Sequence, residues 1–216
     1  MPRREFEEET GGPSWIWGVH AALAVLANPA RKVERVVATR NAAARLPEGA
    51  EPHILEPDAI DGMLPPGAVH QGLAVRAYPL EPHSVETACA PADGRSVLML
   101  DGVTDPHNLG ACLRVADAMG VHAVIAPKDR AVGINPTVSK VASGAAESVP
   151  YISVTNLART MRELKEREVW LVGADEHAGK DLYAAKFAGA TGWVLGAEGE
   201  GLRRLTREHC DELVGI

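Results

Sequence analysis

The apolar positions of the chain fall into two rhythms. "SWIWGVHAALAVLAN", from Ser14, carries apolar residues at helical spacing behind a serine cap and stops at Asn28-Pro29, which predicts a helix. The strand "VERVVAT", the helix "RNAAARL", a short strand around "HILE" and the strand "GLAVRAYPL" follow, which together make a small alternating α/β unit over residues 14–80. Residues 1–13 are charge-rich and end in Gly-Gly-Pro, the pattern of a disordered tail. Residues 81–95, "EPHSVETACAPADGR", hold two prolines and an Asp-Gly turn with little periodicity, and read as a linker.

From residue 96 the units lengthen. "SVLMLDGV" is continuously apolar, as a strand covered on both faces of a parallel sheet should be. A helix from about Leu109 to Met119, ended by Gly120, comes next. Strand "HAVIAP", helix "NPTVSKVASGAAE", strand "VPYISV", helix "NLARTMRELKERE", strands "VWLVGAD" and "GWVLGAE" and helix "LRRLTREHC" complete residues 96–216. Such alternation predicts a parallel α/β sheet with right-handed crossovers.

Composition adds modest constraints. The chain has 216 residues, 46% of them hydrophobic and only 4% aromatic, so its core is built from Ala, Val and Leu. A formal net charge of -7 excludes a chain that is basic overall, but not a local basic patch. One lies between Ser14 and Ala50, where Arg31, Lys32, Arg35, Arg40 and Arg45 face only Glu34 and Glu48. This is a candidate nucleic-acid-binding surface, or else a solvated helix face. Cys89, Cys112 and Cys210 form no disulfide or metal-binding spacing, and no signal segment or membrane span of roughly 18 apolar residues is present. A reducing cytoplasm and no metal are the expectation.

Three loops fall at the carboxyl ends of predicted strands, the edge where open α/β sheets bind ligands. In "DPHNLGACLR", Asn108 stands where a helix cap belongs, and Gly110 permits a close approach. Arg114 follows among Leu113, Val115 and Ala116, neighbours that predict a largely buried helix in which an arginine needs an anionic partner. In "SKVASGAAESVP", small residues give a flat helix face and Glu147 could be that partner. In "GWVLGAEGEGL" the glycines follow G-x-x-G-x-G, which differs from the dinucleotide-binding G-x-G-x-x-G.

Taken in order, "LDGVTDPHNLGACLRVADAMGV", "KVASGAAESVPYISVTNLARTM" and "WVLGAEGEGL" resemble the successive motifs of the SpoU/TrmH branch of the knotted SPOUT RNA methyltransferases. "WIWGVHAALAVLAN" and "HQGLAVRAYPL" resemble the ribosomal-protein-like RNA-binding module carried by members that act on large-subunit rRNA. The resemblance runs from Trp15 to the end of the chain. It implies a small N-terminal α/β RNA-binding module and a parallel-sheet methyltransferase domain with a C-terminal trefoil knot. The implied activity is S-adenosylmethionine-dependent 2′-O-methylation of a ribose, on a guanosine of large-subunit rRNA, by a homodimer whose active site both chains complete. Carried over position by position, the catalytic residues fall on Asn108, Arg114 and Glu198, and the cofactor-bordering backbone on Leu195, Gly196, Ala197, Gly199 and Gly201.

The sequence departs from the family pattern in one place. The third motif, of "SLN(V/I)SVA" type, belongs where the chain reads "DELVGI" and stops. The resemblance then implies an incomplete adenosine pocket and knot, and weak cofactor binding by the chain as written. A tRNA 2′-O-methyltransferase, a non-catalytic RNA-binding protein and a small-molecule-binding α/β protein are the alternatives.

Overall fold

The computed structural model describes residues 11–88 and 96–215, in two units that divide after Glu81. Most of the expected tail, the second half of the expected linker and Cys89 lie outside the described residues.

The first unit opens with β1 (Ser14–Trp17), where a helix start was expected. Gly18, at φ 91°, turns the chain, and α1 (Val19–Ala27) begins only after it. The segment pairs antiparallel with β4, so its aromatic residues gain more from sheet contacts than from a fourth helical turn. β2 (Val33–Ala38), α2 (Arg40–Ala43), β3 (His53–Ile54), α3 (Pro57–Asp61) and β4 (Leu73–Ala77) complete the unit, in the sheet order β1-β4-β2-β3. α2 is a single turn capped by Thr39, whose side chain accepts from the N–H of Ala42, and α3 has no counterpart in the sequence reading. Ile16, Val25, Val36, Leu73 and Val75 form one side of the core.

The second unit opens inside the expected linker. There α4 (Val85–Ala88) buries Val85 against Met99, Met161 and Leu164. β5 (Val97–Asp101), α5 (Pro106–Ala118), β6 (Ala123–Pro127), α6 (Pro136–Ala142), α7 (Ala145–Ser148), β7 (Tyr151–Val154), α8 (Leu157–Lys165), β8 (Trp170–Ala174), β9 (Thr191–Gly196), α9 (Arg204–His209) and β10 (Glu212–Val214) follow. The six strands are parallel throughout, in the order β10-β8-β9-β5-β6-β7, which is the fold class expected. All their carboxyl ends therefore lie on one edge.

Two helices differ from expectation for local reasons. The continuous helix over residues 135–147 is broken, because Ser143 and Gly144 both take left-handed backbone and separate α6 from α7. α5 starts earlier than expected, with Asp105 as its cap accepting from the N–H of His107 at 2.8 Å and Pro106 in the first helical position. Its end is a Schellman turn: Val121 N–H reaches the carbonyl of Ala116, Gly120 N–H that of Asp117, and Gly120 sits at φ 65°. Asp105→Ala is expected to remove about 1 kcal/mol of stability. A calorimetric melting temperature lower by roughly 2–4 °C would register it, and an unchanged one would show that Pro106 alone fixes the start.

Candidate functional site

The central feature of the carboxyl edge is the pair β5 and β9, in register from Val97↔Gly192 to Asp101↔Gly196. Asp101 ends the apolar strand with a carboxylate whose side chain is 0% exposed. A buried carboxylate needs a cation and hydrogen bonds to offset its desolvation. Arg203 provides both, donating its backbone N–H to Oδ2 at 3.1 Å and its Nε–H to Oδ1 at 2.6 Å. The sequence reading passed over this pair, although an aspartate closing a run such as "VLML" is the signal that could have found it.

Arg203 thereby fixes the end of the glycine loop. Ala197 and Gly201 exchange backbone hydrogen bonds at 3.1 and 2.9 Å, closing a tight hairpin. Gly196 faces it across a backbone-to-backbone contact, so close that a Cβ there would stand 2.0 Å from the Gly201 carbonyl carbon. Gly199 and Gly201 are the opposite case, with positive φ and open space where a Cβ would be. Leu195 packs on the apolar layer around Leu100 and Leu109. The loop is thus rigid where it crosses itself and open beside Gly199 and Gly201.

Asn108 is not the cap of α5. It lies in the third helical position, and its side-chain Nδ2 donates to Glu198 Oε2 at 3.1 Å. Two of the three expected catalytic residues, 90 residues apart in sequence, therefore meet at the carboxyl edge. Arg114 does not join them. At 1.5 Å and 100° per residue it stands roughly 9 Å further along α5 and about 120° round its axis.

The expectation that α5 is largely buried also fails, as the helix is amphipathic. Leu109, Leu113 and Ala116 are buried, while Asn108, Ala111, Arg114, Val115 and Met119 face outward. Arg114 is exposed and has no hydrogen-bond or ionic partner among the described residues, Glu147 included. Gly110 does serve a close approach, but to α6 and not to a ligand: a Cβ there would stand 2.6 Å from that of Val141. Burial pushes the Cys112 thiol up, away from the thiolate form.

The five basic residues of the first unit do not make one patch. Arg31 donates to the Tyr78 carbonyl, and the Lys32 ammonium lies 4.6 Å from the Tyr78 ring centroid. Arg40 and Arg45 lie beyond the opposite end of six-residue β2, roughly 20 Å away. Arg35, Arg40 and Arg45 are exposed with no partner among the described residues. No helix among the described residues is long and apolar enough to cross a membrane.

Residues 95–216 match the model of the SpoU rRNA Methylase family. Over 212 residues, 93% of this chain and 84% of the relative, the sequence is 49% identical to the 23S rRNA (guanosine-2'-O-)-methyltransferase RlmB of Neisseria meningitidis. It is 56% identical over 170 residues to the protein of that name from Bordetella pertussis, covering 78% of this chain and 69% of the relative. The crystal structure of the SpoU methyltransferase AviRb from Streptomyces viridochromogenes, in complex with the cofactor AdoMet, superposes with a TM-score of 0.81. At 22% identity, over 96% of this chain and 82% of AviRb, that likeness is one of fold.

Proposed function

Because the chain belongs to the SpoU rRNA methylase family, we propose that it methylates the ribose 2′-hydroxyl of a guanosine in 23S rRNA, with S-adenosylmethionine as methyl donor. The observation that carries the site assignment is the Asn108–Glu198 hydrogen bond, which joins the first motif to the glycine loop at the carboxyl edge.

The glycine loop fits the cofactor. Gly199 and Gly201 leave open space beside the backbone of Leu195–Gly201, and the exposed carboxylate of Glu198 on the same loop would favour a ligand of positive charge. When bound, S-adenosylmethionine supplies a methyl group made electrophilic by its sulfonium.

The chain's own residues would then align and activate the hydroxyl. Asn108 takes one oxygen of Glu198, and the other oxygen has no partner among the described residues. It is placed to accept the hydrogen bond of a ribose 2′-hydroxyl and so to share its proton as the oxygen becomes nucleophilic. Arginine stays cationic at physiological pH, so Arg114 acts as a clamp on an adjoining phosphate and stabilises charge developing on the oxygen.

Val115 and Met119 are 62% and 75% exposed beside Arg114, an apolar strip that supports a homodimer packed through α5. In that arrangement Arg114 sits at the border of the two chains, which accounts for its distance from Asn108 on its own chain. The reading also assigns the protein to the cytoplasm, with its ribosomal substrate.

The test is transfer of labelled methyl from S-adenosylmethionine to unmodified 23S rRNA by the full-length protein. Incorporation abolished by a 2′-deoxy target guanosine is the expected result. Binding of rRNA without incorporation would leave an RNA-binding protein instead, and incorporation into tRNA alone would make it a tRNA enzyme.

A further inference from the structure

The first unit contains a cleft of about 450 Å³ between α2 and the turn that leads into β4, lined by Asn41, Arg45, Asp61, Val69, His70 and Gln71. One wall is held in place from several sides. His70 is 9% exposed; its Nδ1 accepts from the N–H of Gly72 at 3.0 Å, which puts its proton on Nε2, 3.2 Å from Asp61 Oδ1. Gln71 takes a left-handed φ of 55° without being glycine, and its Oε1 accepts from the N–H of Val19 at 3.3 Å. Gly72 follows at φ 82°, so close to Thr39 that a Cβ would meet the Thr39 hydroxyl at 2.5 Å. Such strain persists only where the surroundings over-determine it, and it concentrates at ligand sites.

The opposite wall carries groups with nothing to do. Asn41 and Arg45 are exposed and have no partner among the described residues, and Val69 stands 66% exposed at the rim. The cleft therefore offers an unpaired amide, a carboxylate acceptor, an apolar edge and one free guanidinium.

We propose that this cleft holds one unpaired nucleotide of the RNA substrate, with Asn41 and Asp61 meeting the base edge and Arg45 the adjoining phosphate. Its volume is on the scale of small-ligand sites, which begin near 300 Å³. An amide and a carboxylate lining one cleft match a base edge that carries both donors and acceptors. In a duplex that edge is occupied by pairing, so only a splayed-out nucleotide can present it. Val69 supplies contact for the face of the base, and the exposed Asp61 carboxylate repels phosphate on its side of the cleft, which leaves the phosphate to Arg45. Arg31 and Lys32, engaged with Tyr78 at the far end of β2, are not part of this site.

The proposal rests on the substrate being RNA, and its test separates the two. Binding of the full-length protein to a fragment of 23S rRNA is titrated at several salt concentrations, and the same fragment carrying 4-thiouridine at unpaired positions is photo-crosslinked. R45A is expected to weaken binding and to make the log–log salt slope shallower by about 0.7, the value for one single-strand phosphate contact. N41A is expected to weaken binding at least about fivefold with an unchanged slope, as loss of a base-edge contact does. Crosslinks are expected within residues 39–45 and 67–72. Variants that bind like the parent while the parent methylates rRNA would overturn the site and leave the enzymatic reading intact. So would a slope that responds to loss of Arg31 and Lys32 but not of Arg45. Crosslinks in the cleft from a parent that transfers no methyl would do the reverse.

Discussion

Arg114→Ala is expected to abolish methyl transfer to 23S rRNA while leaving the fold and cofactor binding unchanged. The side chain is exposed and touches no partner among the described residues, so its loss removes no contact that holds α5 in place. Surface changes of that kind stay within about 0.5 kcal/mol. If the guanidinium clamps the phosphate and meets developing charge in the transition state, its removal costs about 10²- to 10³-fold in turnover, the scale of losing one preorganised donor. Arg114→Lys keeps the charge but loses the planar fork and is expected to fail as well. Single-turnover transfer, melting temperature and S-adenosylmethionine binding are to be read together. An alanine variant with near-normal turnover would remove Arg114 from the site.

Gly196→Ala is expected to have the largest effect on stability. The new Cβ would meet Gly201 backbone at 2.0 and 2.2 Å and Leu202 backbone at 2.4 Å, and no rotamer change can relieve a clash with main chain. Either the 197–201 hairpin opens or β9 leaves its register with β5. Overpacking in a tight core costs about 1–3 kcal/mol even when side chains can yield. Here they cannot, so a loss of about 3 kcal/mol or more is expected, lowering the melting temperature of the second unit by roughly 10 °C. Cofactor binding should fall with it, because the same crossing sets the shape of the loop beside Gly199. A variant that melts with the parent would show that the crossing has more room than its geometry implies.

The parallel sheet was legible because buried strands such as "VLMLD" and "AVIAP" are uninterrupted apolar runs, a pattern that few other environments produce. Asn108 and Glu198 were legible through their motifs, although neither residue's own surroundings pointed to the other. What escaped depends on contacts distant in sequence. "SWIW" fits a helix as well as a strand until β4 lies beside it. The break in the helix over residues 135–147 was signalled only by the Ser143-Gly144 dipeptide, which the run of small helix-forming residues around it outweighed. The cap of α5 was misplaced by three residues because Asp105 and Asn108 are equally good caps, and Pro106 in the first helical position decides between them. Arg114 was expected to be buried from its neighbours in sequence, whereas burial on a helix follows neighbours three and four residues away. The cleft of the first unit joins residues 39–45 to 61–72, and only the fold brings them together.

The position of β9 has a consequence for how the protein is made. β9 lies between β5 and β8, so β5 keeps one bare edge from the time it leaves the ribosome until β9 follows. Arg203, the partner that Asp101 requires, is added 102 residues later. At 5–20 residues per second the nascent chain passes roughly 5–20 s with a buried-type strand edge exposed and with Asp101 lacking the partner that would let it be buried. β5, β6 and β7 can pair in that interval, but the half that holds the glycine loop cannot. The methyl-transfer edge cannot form before β9 and the glycine loop are made, and a stalled ribosome or a slow codon before residue 191 would leave a template for misassembly in place of an enzyme.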